Sequence, residues 1–104
     1  MILEGVIISF IMVRPRLKRR IRFFPNIKFF KPRGVPMRDL EIENLTHEEV
    51  EALRLRHMKD LEQEEIAKQM KTSRTTVQRI LDSGYKKLIS AIVKGKAIAI
   101  EKDL

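Results

Sequence analysis

A chain of 104 residues is enough for one domain near the lower limit for burying its own core, and a hydrophobic fraction of 43% excludes wholesale disorder. The 22 Lys and Arg against 14 Asp and Glu leave a net charge of +8, which points to a polyanionic partner. Cysteine is absent, which excludes disulfides and thiolate metal sites and fits a reducing, cytoplasmic setting.

The first twelve residues hold an apolar run that is too short to span a bilayer and is interrupted by Glu4. Positive charge follows the run instead of preceding it, so it does not read as a signal peptide. Met12-Val13-Arg14-Pro15-Arg16 reads like a start, which makes the preceding residues a start-site extension or an accessory strand.

Residues 13–38 open as a basic arm carrying Arg14, Arg16, Lys18, Arg19, Arg20 and Arg22, with no acidic residue before Asp39. That arm suits a phosphate backbone or a minor groove, or it is a solubilising terminus. Ile27-Lys28-Phe29-Phe30 predicts a short strand closed by Pro32, Gly34 and Pro36. Phe23, Phe24, Phe29 and Phe30 are expected to pack over the helices; the competing reading is a stacking platform for single strands. Leu40 to Leu45 alternates in part, so a strand and a single helical turn are both open.

Residues 39–104 form the predicted helical domain. Thr46 with Glu49 three residues later is a capping box. It opens a helix through about Lys59, with Val50, Ala52, Leu53 and Met58 inward and Leu55 on the flank. Gln63 to Met70 predicts a second helix and Lys71-Thr72 a tight turn. Ser73 caps a third helix from Arg74 to about Val93, with Val77, Ile80, Leu81, Leu88 and Ile92 inward. Gly95 ends it, and Lys96 to Ile100 alternates like a strand.

The second and third helices meet the needs of a helix-turn-helix. Ala67 is the small residue at the crossing, Ile66, Met70, Val77 and Ile80 are the locks, and Ser73 is the cap. Lys71 stands where such turns often have Gly, at a cost of order 1 kcal/mol for a left-handed residue. With the locks inward, Arg74, Thr75, Gln78 and Arg79 point out, and these are side chains suited to base edges. Lys68, Lys71, Thr72, Ser73 and Thr76 become candidates for phosphate contact. Catalysis has little support. His47 and His57 do not share a helical face, and neither a phosphate-cradling Gly-rich loop nor a Ser-His-Asp pattern occurs. No cofactor is expected, and the chain reads as a binding protein, not an enzyme.

Leu45-Thr46-His47-Glu48-Glu49-Val50-Glu51-Ala52-Leu53-Arg54-Leu55, then Gln63-Glu64-Glu65-Ile66-Ala67 and Ser73-Arg74-Thr75-Thr76-Val77, resemble region four of the sigma-70 family. Arg14-Pro15-Arg16, Phe29 to Pro36 and Gly95-Lys96-Ala97-Ile98 add a closer resemblance, over about Met12 to Ile100, to the uncharacterised protein family 0251 (domain of unknown function 134). The resemblance implies a mainly α fold. A three-helix, sigma-70 region-four-like helix-turn-helix core would carry a basic N-terminal arm and short terminal strands. It also implies a sequence-specific regulator of transcription that binds double-stranded DNA. Relatives in that family often carry Cys where this chain has Phe23 and Phe24, so a redox or metal role of such thiols is absent here.

The broad apolarity of the third helix suggests burial by a second subunit, hence a homodimer. Two other functions stay open. One is an accessory protein docking on RNA polymerase through Glu48 to Glu51, and the other is an RNA-binding module using the arm and the phenylalanines. No membrane partner is expected.

Overall fold

The computed structural model describes residues 19–102; Arg14, Arg16, Lys18 and the first twelve residues lie outside the described residues. Its elements in chain order are β1 (Phe29–Phe30), a 3-10 turn (Met37–Asp39), β2 (Ile42–Leu45), α1 (His47–His57), α2 (Gln63–Met70), α3 (Arg74–Lys94) and β3 (Ala97–Ile100). The protein is mainly α, three helices with a small three-stranded sheet. Leu40 to Leu45 resolves as extended chain, and the helical turn falls before it.

Helix starts follow the caps. The Thr46 hydroxyl accepts from the Glu49 amide at 3.1 Å, and the Glu49 carboxylate accepts from the Thr46 amide at 2.9 Å, completing the capping box. α1 stops at His57, two residues short of expectation, because the Lys59 amide folds back to the Arg54 carbonyl and that of Leu61 to Leu55. α3 ends on Gly95 at φ 66°, a left-handed position that glycine adopts without strain.

β3 is the central strand. It pairs antiparallel with β1, Phe29 opposite Ala99, and parallel with β2, Ile42 opposite Ala97 through Leu45 opposite Ile100. A parallel pair needs a long crossover, and here all three helices supply it. Ala91, Ala97 and Ala99 are buried, small residues that let α3 and the sheet approach closely.

The core is one cluster around Ile66, Met70 and Val77, joined by Ala52, Leu55, Ala67, Ile80 and Leu81. α1 reaches α3 at Gly84, where an added Cβ would lie 3.0 Å from Leu53 Cδ1 and 3.5 Å from Glu49 Cβ. The same crossing carries a polar knot. Glu49, 5% exposed, accepts from the Ser83 hydroxyl at 2.5 Å and from Lys87 Nζ at 3.0 Å, and Lys87 also donates to the Asn44 carbonyl. Burial pushes the Glu49 carboxyl up. The bonds from Ser83, Thr46 and Lys87 outweigh that push and hold it below its ordinary 4.5.

Three packing expectations are corrected. Met58 is 76% exposed, because it lies past the last turn of α1 where the chain swings away. Ile92 is 73% exposed, because the last turns of α3 run beyond α1 and α2. Phe23, Phe24, Phe29 and Phe30 are 38 to 57% exposed and form no core over the helices, although Phe24 packs edge-on against His47 and Phe23 under the Arg54 guanidinium of α1. They sit on an extended strap in which only Phe29 and Phe30 join the sheet.

Replacing Gly84 with Val is expected to lower unfolding free energy by about 1–3 kcal/mol in urea titrations, since two γ-carbons would enter the Leu53 contact. A depressed carboxyl contributes stability that is present above its unfolded pKa and lost as pH falls through the folded one. Stability should therefore drop as the pH falls below the ordinary carboxyl value of 4.5. Glu49→Gln should flatten that part of the curve while lowering stability at neutral pH, both read from melting temperature against pH.

Candidate nucleic-acid interface

α2, a tight turn and α3 build the helix-turn-helix from local rules. Buried Ala67 sits at the crossing, with Ile66 and Met70 of α2 and Val77 and Ile80 of α3 closing over it. Lys71 adopts φ 56° as the sequence demands, its amide directed to the Ala67 and Lys68 carbonyls, while the Thr72 amide reaches Ala67 at 2.9 Å. The Ser73 hydroxyl accepts from the Thr76 amide at 3.1 Å and donates to the Thr76 hydroxyl at 2.8 Å.

This geometry sets out the side chains singled out above. Arg74, Thr75, Gln78 and Arg79 are all exposed at the first two turns of α3, as are Lys68 and Lys71 beside them, with Thr72 and Thr76 half-buried. Ser73 is spent as a cap, so a phosphate contact from its hydroxyl would have to displace the bond to Thr76. Thr76 receives that bond and keeps its own proton to donate. Arg74 lines a polar hollow with Arg56, Glu62 and Glu64, so carboxylates are near it, whereas Arg79 stands apart from that hollow.

Four cations elsewhere are paired with carboxylates, Arg19, Arg54, Lys87 and Lys96. Arg19 meets Glu48 at 2.5 Å, Arg54 grips the Glu51 carboxylate with two nitrogens at 3.1 and 3.0 Å, and Lys96 meets Glu43 at 2.9 Å. The Glu43 bond raises the Lys96 pKa, and the same bond lowers that of Glu43. Lys68, Lys71, Arg74 and Arg79 form no ion pair among the described residues. The positive charge left uncompensated therefore includes the outer side of the helix-turn-helix.

The described part of the arm does other work than expected. Arg19 is held by Glu48, and the Arg22 amide donates to buried Glu51 at 3.2 Å. Arg20 uses its amide for the Met70 carbonyl at 3.1 Å and its Nε for that of Gln69 at 3.0 Å, capping the negative end of α2. The arm is thus pinned at the turn of the helix-turn-helix. Glu49 and Glu51 are buried, so the acidic side of α1 offered as a docking surface is largely consumed inside the protein. Phe29 and Phe30 are neighbours in one strand and point to opposite sides, so they do not form one stacking platform.

Two features escaped the sequence. The burial of Glu51 escaped notice although its salt bridge to Arg54 is a local i,i+3 pair, because its second partner, the Arg22 amide, is 29 residues away. His47 is buried with its Nε2 at 2.9 Å from the Lys102 carbonyl, its amide on Glu101 and the Phe24 ring edge-on at 4.7 Å. Together these contacts dock the strap and the tail on the start of α1.

Fold and surface thus define a small, basic, mainly α protein organised around a helix-turn-helix. The family described as "Protein of unknown function DUF134" matches residues 9–103, and the chain belongs to it. It is similar to UPF0251 proteins of Halothermothrix orenii (46% identical), Moorella thermoacetica (48%) and Thermoanaerobacter pseudethanolicus (50%), each over 86% of the chain. It spans 67%, 60% and 76% of their respective lengths. No solved structure matches it. Among the described residues, no helix is long and apolar enough to cross a membrane.

Lys71→Gly should relieve the left-handed strain and raise stability by about 1 kcal/mol, seen as a higher melting temperature.

Proposed function

We propose that this protein is a sequence-specific binder of double-stranded DNA and a regulator of transcription, with the first two turns of α3 in the major groove. The observation that carries the reading is the concentration of unpaired positive charge around an exposed, capped helix start. Lys68, Lys71, Arg74 and Arg79 surround Thr75 and Gln78 without a carboxylate partner, whereas Arg19, Arg54, Lys87 and Lys96 are each bound to one. Arg79 and Gln78 are suited to two-fold hydrogen bonding with guanine and adenine. Lys68, Lys71 and the Thr76 hydroxyl would hold phosphates and set register. The resemblance to region four of the sigma-70 family points the same way. Arg14, Arg16 and Lys18 would add contacts to flanking backbone or a minor groove.

Selection from a random duplex pool, followed by fluorescence anisotropy on the selected site, tests this. Gln78→Ala and Arg79→Ala should each reduce discrimination between selected and random duplex by about 1–3 kcal/mol. Lys68→Ala and Lys71→Ala should weaken both duplexes alike and reduce the slope of log K against log salt by about one. Selected-site affinity untouched by changes at Gln78 and Arg79 would overturn the reading.

A further inference from the structure

The exposed side of α3 does not end with the polar residues. Thr75, Gln78, Asp82, Tyr85, Ile89 and Val93 follow at three- and four-residue spacing and so lie on one stripe of the helix. The stripe is polar through Asp82 and apolar from Tyr85. Ile89 is 58% exposed and Val93 75%, beside equally bare Ile92. A contiguous apolar area of this kind on a small protein marks a binding surface.

Tyr85 joins this stripe to a second feature. It hydrogen-bonds His57 at the end of α1, and both line an open hollow of about 720 Å³ floored by Leu45, Val50, Leu53 and Leu88. On its other side Tyr85 lines a shallower hollow of about 470 Å³ with Ile89 and Val93. The two hollows meet at Tyr85 and together make an apolar trough, whose arm along α3 from Tyr85 to Val93 is about 12 Å long at 1.5 Å per residue and fits two turns of an incoming helix.

The charge around the trough selects its occupant. Arg54, His57 and Lys59 line the larger hollow and Lys86 and Lys94 the smaller, and neither has a carboxylate among its lining residues. A second copy presenting the same face would bring lysine against lysine, which disfavours self-pairing here. The larger hollow lies between α1, α3 and the sheet, and a concave site of this kind suits an inserted helix better than a lipid surface. We infer that this trough docks an acidic amphipathic helix of another protein, apolar face inward and carboxylates toward Lys59, Lys86 and Lys94. It goes beyond the DNA-binding reading and needs neither Gln78 nor Arg79. Because the trough continues the polar stripe, the docked helix would lie alongside any duplex held by the first turns.

The first test uses the full chain and a synthetic twenty-residue helix with leucines along one face and glutamates beside them. This peptide should bind at least about tenfold more tightly than its lysine counterpart at low salt. The difference should vanish in the Lys86→Glu, Lys94→Glu double variant, whose exposed positions leave the fold intact by circular dichroism. Equal binding of the two peptides overturns the inference. The second test places a photo-crosslinking side chain at exposed Ile89 in the host and sequences the captured peptide. An apolar segment flanked by Asp and Glu from another protein is expected. Capture of this protein's own chain, of lipid or of nothing overturns the inference, whereas loss of duplex binding in the Gln78 and Arg79 variants leaves it standing.

Discussion

The Glu49 carboxylate is the point on which the arrangement turns. One side chain closes the capping box of α1, accepts from Ser83 and Lys87 of α3, and through Lys87 draws in the carbonyl of Asn44 at the end of β2. A carboxylate this buried is tolerable only because donors surround it, supplied by the cap of α1 and by two side chains of α3. Gly84 lets the backbones come near enough for those bonds to form. The angle of α1 against α3 is therefore set by polar geometry as well as by apolar burial. That angle fixes where the first turns of α3 point.

What could be read from the sequence was what local chemistry decides. Thr46 with Glu49, Ser73 with Thr76, Lys71 at positive φ and Gly95 as terminator each act within a few residues, and each stands where the pattern put it. α2 has the bounds expected of it, because its apolar positions and its turn are both local signals. The misread residues depend on partners far along the chain. Arg19, Arg20 and Arg22 look like a free basic arm until Glu48, the carbonyls of α2 and Glu51 are brought beside them. The phenylalanines look like core until the strap carrying them proves to be mostly unpaired chain. Periodicity places Ile92 on an inward face, but it cannot say where the body beneath the helix ends.

Pairing of charge divides the surface more sharply than charge itself. A positive residue matched to a carboxylate in the folded chain offers little to a phosphate, because binding would first have to break the existing pair. Counting Lys and Arg along the sequence therefore overstates the arm and understates the helix-turn-helix. After Arg19, Arg54, Lys87 and Lys96 are assigned to their acids, the charge that remains includes Lys68 and Lys71 at the turn and Arg74 and Arg79 on the exposed side of α3.

α3 runs 21 residues, with Gly84 the one interior glycine and no proline to bend it. Its first turns are held by the cap and by α2, its middle by α1, and its last turns rest on the sheet along one side only. A rigid rod supported this way transmits displacement from one end to the other, because its backbone bonds leave no hinge at which the two halves could move independently. Pressure on the apolar half would be borne at the Gly84 crossing, where Leu53 and Glu49 sit in contact distance and little slack exists.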